Sequence, residues 1–277
     1  MSGVALALAA SLSWGLADFG GGLSARRMHL AWVTLVSQLA GLALVGALWL
    51  ATQPATPSWR QLAWGAFGGA TGAIGLASFY RALAVGAMGV VGPITSSSAI
   101  VPLAYGLARG ERPSLLQGVG VALAIVGVVG ASLERVEDKR RVVAGVGLAL
   151  VAALGFGSSI IGLNRASQAG VVWGTLSLRL TAVPIMIAAA LLIRPTARGV
   201  RRALPLLVAT GLFDTGANLL YGASATRGLI SVVSVLASLY PVVLVALARF
   251  VLSERIQRPQ LAGVATALAG VALISSG

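Results

Sequence analysis

Long apolar runs alternate with short polar junctions along the whole chain. A helix needs about 20 mainly apolar residues to cross the hydrocarbon core of a bilayer. On that measure the sequence predicts ten membrane spans: 3–24, 30–51, 61–86, 88–109, 114–133, 142–164, 170–193, 203–226, 228–250 and 260–276. Two junctions, "AVGAMGVVGP" and "ATRGLIS", could each carry one helix into the next. A span of more than about 40 residues would overshoot the bilayer twofold, so each is read as a turn between two helices. The N-terminal run has no basic segment before it and is too long for a signal-peptide core, so it is read as the first span. The longest junctions, "TQPATPSWR", "ERVEDKRR" and "RPTARGVRR", leave no stretch for a soluble domain. The fold class expected is therefore an all-α integral membrane bundle, and the bundle itself must carry the function.

Composition agrees. Of 277 residues, 57% are hydrophobic and 10% charged, against roughly 25% charged in soluble domains. The mean hydropathy is +0.93. Cysteine is absent and His29 is the single histidine, which removes disulfides and thiolate sites and leaves little for histidine chemistry. No metal and no cofactor is expected, and no clustered catalytic set points to an enzyme. The net charge of +13 would suit nucleic acid, but the arginines lie in junctions between apolar runs. That placement fits anionic lipid headgroups, not nucleic acid.

An internal repeat organises the ten spans. "ERPSLLQGVGVALAIVGVVGASL" from Glu111 aligns with "ERIQRPQLAGVATALAGVALISS" from Glu254, with identities that include Glu111/Glu254, Gln117/Gln260, Gly120/Gly263 and Gly127/Gly270. The offset there is 143, whereas Trp14-Gly15 falls on Phe156-Gly157 at an offset of 142. The halves are 1–138 and 139–277, five spans each. Five is odd, so the second half enters from the opposite side, an inverted-topology repeat around a central cavity. Such symmetry gives two related conformations open to opposite sides. The paired glycines are read as helix packing, with a dimer contact left open; monomer and homodimer both stand.

Sidedness follows from the basic residues. The junctions on the N-terminal side carry Arg60, Arg109, Arg112, Arg165 and Arg227; the other side carries twelve, from Arg26 to Arg258. The second side is read as cytoplasmic, with both termini outside.

Ionisable groups inside spans are the candidate functional residues. Ser11, Trp14 and Asp18 share a face of the first span. A charge there costs roughly 2.5–3.5 kcal/mol on insertion scales, so Asp18 should be paired, protonated or hydrated, with Arg81 and Arg179 the deep cations available. Asp214, Asn218 and Tyr221 form a stripe on span eight. At an offset of 143 they fall on Thr71, Gly75 and Ser78 of span three. Ser231, Ser234 and Ser238 line one face of span nine, where Thr95 and Ser98 are the counterparts of Ser238 and Pro241 on span four. Tyr80, Tyr105 and Tyr240 offer rings and hydroxyls to a cavity or to helix contacts.

Two five-span halves, "SWG" in the first span, "FYRALAVG" closing the third, and "GER" or "SER" ahead of "GVGVALAIVGV" or "GVATALAGVAL" together resemble the EamA family of the drug/metabolite transporter superfamily. The resemblance spans nearly the whole chain. It implies a ten-helix carrier whose cavity is lined by spans one, three, four, six, eight and nine, with five and ten peripheral. In size and organisation the chain is similar to YddG-type aromatic amino-acid exporters. The family often has a proline in the span before the Glu motif; Pro241 keeps it, whereas Ser98 stands at that place in the first half and Pro102 follows one turn later.

The function expected is export of amino acids, aromatic ones among them, or similar small metabolites across the inner membrane by alternating access. The substrate-binding set is Trp14, Asp18, Ser78, Tyr80, Arg81, Ser98, Arg179, Asp214, Asn218, Tyr221 and Tyr240. The partners expected are a small-molecule substrate, the lipid bilayer and, if Asp18 or Asp214 couples transport, protons. The alternatives are a nucleotide-sugar or organic-phosphate exchanger, which would need several cavity cations, and a passive channel.

Overall fold

The structure, a computed structural model, describes residues 2–25, 27–85, 91, 94–131, 145–251 and 257–276. Among these residues every regular element is helical and there is no strand. The elements are α1 (Gly3–Ala25), α2 (Leu30–Thr52), α3 (Trp59–Val85), α4 (Ile94–Ala108), α5 (Leu115–Ala131), α6 (Val146–Ser167), α7 (Val171–Ile193), α8 (Val200–Ala225), α9 (Ile230–Val251) and α10 (Arg258–Ser276). Eight are long and apolar enough to cross a membrane; α4 and α5 are shorter apolar helices. Where the ends are described they fall within a few residues of the expected spans. The start expected at 88, the end at 133, the start at 142, the boundary between halves at 138/139, and Glu254 lie outside the described residues.

Large apolar side chains such as Leu50, Leu192 and Phe250 are exposed, as a surface solvated by lipid requires. With no hydrophobic drive between helices in lipid, association rests on close packing at small residues. The main pairings are α1 with α8, α3 with α6, α5 with α10, α2 with α7, α2 with α8 and α3 with α7. Glycines sit where backbones meet. A Cβ on Gly120 would lie 2.7 Å from the Gly270 carbonyl oxygen, and one on Gly127 2.7 Å from that of Gly263. These four glycines face each other within the chain.

The contacts also recur in matched form. Gly15 of α1 abuts Val243 and the Tyr240 carbonyl of α9; Gly157 of α6 abuts Val101 and the Ser98 carbonyl of α4. Gly20 meets Thr210 and Leu206, and Gly162 meets Gly68 and the Trp64 carbonyl. Each residue in one contact maps onto its counterpart at the Trp14/Phe156 offset. The Nε1–H of Trp32 donates to the Pro195 carbonyl at 3.1 Å, and that of Trp173 to the Pro54 carbonyl at 3.2 Å, an offset of 141. Those prolines follow Gln53 and Arg194, non-glycine residues at φ 39° and 49° that end α2 and α7. Proline just past a left-handed cap cannot continue the helix.

Two helices are interrupted. α9 breaks at Ser238–Leu239, between Ile230–Ala237 and Tyr240–Val251. α4 tightens into a 3-10 turn at Ser97–Ala99. Pro241 and Pro102 lie just beyond. A proline lacks the N–H for the carbonyl four residues back and its ring crowds that carbonyl, so the Ala237 and Ser98 carbonyls lose that helical donor. Pro102 therefore accompanies the interruption in α4 that Pro241 accompanies in α9.

Candidate functional site

Close crossing of α2 and α8 builds the centre. A Cβ on Gly211 would strike the Ser37 carbonyl, and one on Gly41 would strike Thr215 Oγ1. This approach brings Gln38 beside Asp214. Arg179 of α7 reaches the same point. Its Nη2 donates to Asp214 Oδ2 at 2.7 Å and to Thr215 Oγ1 at 3.0 Å, while Nη1 donates to Gln38 Oε1. Gln38 Nε2 donates to Asp214 Oδ2 at 3.1 Å, closing the ring of bonds. The Arg179 side chain is 2% exposed and that of Asp214 25%. Burying a guanidinium is tolerable only when it is paired and hydrogen-bonded, and both of its terminal nitrogens are. Gln38 and Arg179 stand at an offset of 141, as Trp32 and Trp173 do, so they occupy equivalent places on α2 and α7.

Asp18 lies apart from this network. It is exposed, and among the described residues no hydrogen bond or ion pair joins it to Arg179 or Arg81. It sits on α1, which packs against α8 and α9. Gly15, one turn earlier, lets α1 approach the break in α9. The result is an exposed carboxylate on α1 one turn from that close approach.

Further along, Trp14 and Tyr221 stand with ring centroids 6.0 Å apart. Tyr221 is fully buried; its hydroxyl shares a 2.8 Å hydrogen bond with Ser234 Oγ. Phe156 and Phe79 form the matching pair, also at 6.0 Å. Phe156 is the repeat mate of Trp14, and at the same offset Phe79 is that of Tyr221. This places Tyr221 opposite Phe79, not Ser78, in the repeat. The register of α3 and α8 is thus that of Trp14 and Phe156, and it aligns Asp214 with Gly72 and Asn218 with Leu76. The polar stripe of α8 has no polar counterpart in α3.

The remaining candidates are more scattered. Asn218 is buried one turn from Asp214. Ser98 is buried where α4 meets Gly157. Ser78 is half-buried and Arg81 exposed on α3; the side chain of Tyr80 lies outside what is described. Gln38 was not among the residues expected. A lone amide in the apolar run "LAWVTLVSQLAGLALVGALWL", aligned with Arg179, is the signal that points to it.

The "GER" carboxylate has a structural partner. Glu111 Oε1 and Oε2 accept from the backbone N–H groups of Ile230 and Ser231, each at 2.8 Å. The carboxylate thereby satisfies orphan donors at the start of α9 and meets its positive dipole end. His29 plays a smaller version of this role: its Nδ1 accepts from the Ala31 N–H at the start of α2.

A helical bundle with exposed apolar side chains, two interrupted helices and a bonded polar centre has the build of a membrane transporter. The sequence model of the EamA-like transporter family matches residues 1–133 and again 143–276. The chain belongs to that family, within the drug/metabolite transporter superfamily. No curated protein matches the sequence significantly. One crystal structure is similar over 98% of this chain and 95% of its own, with a TM-score of 0.81 and 18% identity; at that identity the likeness establishes the fold.

Proposed function

We propose that this transporter exports amino acids, aromatic ones among them, or similar small metabolites across the inner membrane. It works by alternating access between two inverted five-helix halves, 1–138 and 139–277, around a central cavity. The carrying observation is the set of matched contacts. The Trp32–Pro195 bond lies at the start of α2 and the end of α7; its mate, Trp173–Pro54, lies at the start of α7 and the end of α2. Equivalent bonds at opposite ends are what an in-plane pseudo-two-fold requires. The aromatic pairs Trp14–Tyr221 and Phe156–Phe79 are then two equivalent gates, one toward each side. The family match to each half supports the same division.

In this reading Asp18 holds the substrate ammonium, Asn218 donates to the carboxylate, and Trp14, Tyr221 and Tyr240 contact the side chain. Ser78, Tyr80, Arg81 and Ser98 line the path from the other half. Arg179, tied to Asp214 and Gln38, holds the halves together near the axis. That engagement leaves it unsuited to a phosphate and weighs against an organic-phosphate exchanger. The basic junctions put both termini outside.

Proteoliposomes loaded with a panel of amino acids test the reading. Efflux of at least one of them is expected, strongly reduced in Asp18→Asn. A flux confined to phosphate or nucleotide sugars would overturn it. A pH gradient that drives wild-type flux but not residual Asp18→Asn flux would assign proton coupling to Asp18; indifference to the gradient in both would assign facilitated diffusion.

A further inference from the structure

Beyond the Trp14–Tyr221 pair, at the end of the bundle where α1 begins, lies a polar chamber of about 260 Å³. Ser224, beside it, donates to the Gly3 carbonyl at 2.7 Å, which fixes its location at that end. Tyr105, Arg109, Glu111, Asn164, Arg165 and Gln168 supply its polar wall. Asn164 is the buried member of that wall.

The charge balance of the chamber is positive. Both Glu111 oxygens are taken up by the α9 backbone. Arg109 is exposed and its guanidinium has no hydrogen bond or ion pair among the described residues. The Arg165 guanidinium has no such polar partner among them either; it rests 6.0 Å from the centre of the Trp64 ring. Gln168 uses its amide N–H on the Ala225 carbonyl at 3.2 Å. Among the described residues, then, two arginines without polar partners face a space whose acid is already engaged. A guanidinium's planar fork of donors matches a carboxylate.

We propose that this chamber is a second ligand site that receives the carboxylate of the transported compound on the far side of the Trp14–Tyr221 gate, with Arg109 and Arg165 as its donors. The inference rests on the amino-acid reading above for its ligand. It adds a relay: ammonium held by Asp18 on one side of the gate, carboxylate held by arginine on the other.

Trp64 provides the readout, because an anion that draws Arg165 off the ring alters its emission. Purified wild-type protein is titrated with sodium acetate at ionic strength held constant with sodium chloride. A saturable change is expected, absent in Trp64→Phe and with apparent affinity about tenfold weaker in Arg109→Gln and in Arg165→Gln. Arg109 is at the surface, so its substitution tests the site without disturbing a packed residue. No saturable change, or one undiminished in both arginine variants, would overturn the proposal. So would inorganic phosphate binding in preference to acetate. Acetate binding with the expected arginine dependence, in a protein that moves no amino acid, would uphold the anion site and defeat the transport reading alone.

Discussion

Asp18 and Arg179 divide the chemistry of the centre between them. Arg179 is consumed by structure. Removing one member of a buried pair leaves the other charge without compensation, at a cost of about 3–5 kcal/mol. Arg179→Gln should therefore lower stability by that order, and the double variant Arg179→Gln/Asp214→Asn should recover much of it; denaturation in detergent of the double variant and both single variants measures the coupling. Asp18 has no such partner among the described residues. Asp18→Asn removes a charge from an apolar span without orphaning a partner, so it should leave stability unchanged or raised, while transport falls. Sequence marked both residues as candidates but left the pairing of Asp18 open, because four charges on four spans admit several pairings until the helix crossings are known. Gln38, which completes the Arg179–Asp214 network, is uncharged and drew no notice by charge alone.

Among the elements, the eight helices long and apolar enough to cross a membrane were legible, since length and hydropathy are set by bilayer thickness; α4 and α5 are shorter than the spans expected there. The register within the repeat was less so. Ala, Val and Gly recur so often that offsets of 142 and 143 look alike in sequence, and only side-chain contacts such as Trp14–Tyr221 and Phe156–Phe79 choose between them. The Glu of "GER" was visible as a repeated motif without a role; its role needs the start of α9, far along the chain, at its side. Glu111→Ala should destabilise by about 1–2 kcal/mol through loss of the cap and of the dipole interaction, with Glu111→Gln intermediate, as thermal unfolding of the purified variants would report. The glycines facing each other across α5 and α10 leave no room for larger residues. Gly127→Leu should cost about 1–3 kcal/mol from overpacking, whereas Gly118→Leu, where a Cβ meets nothing within 4 Å, should be nearly neutral in the same measurement.

At the scale of the whole molecule, the two halves are held by equivalent contacts, yet they differ where chemistry is concerned. Asp18 has Ile160 as its counterpart, and Asp214 has Gly72. The family model matches the chain twice, whereas these charged positions are not duplicated, which suits the proposed carrier with an asymmetric ligand. A carrier must return through its other state, and return is faster when loaded from the far side; a channel has no such step. Counterflow tests this most directly. Proteoliposomes preloaded with an unlabelled amino acid from the panel are given a trace of the same compound, labelled, outside. Labelled uptake should overshoot its equilibrium level in the preloaded vesicles and collapse in Asp18→Asn. Uptake of the same rate and extent in loaded and empty vesicles would contradict transport by alternating access.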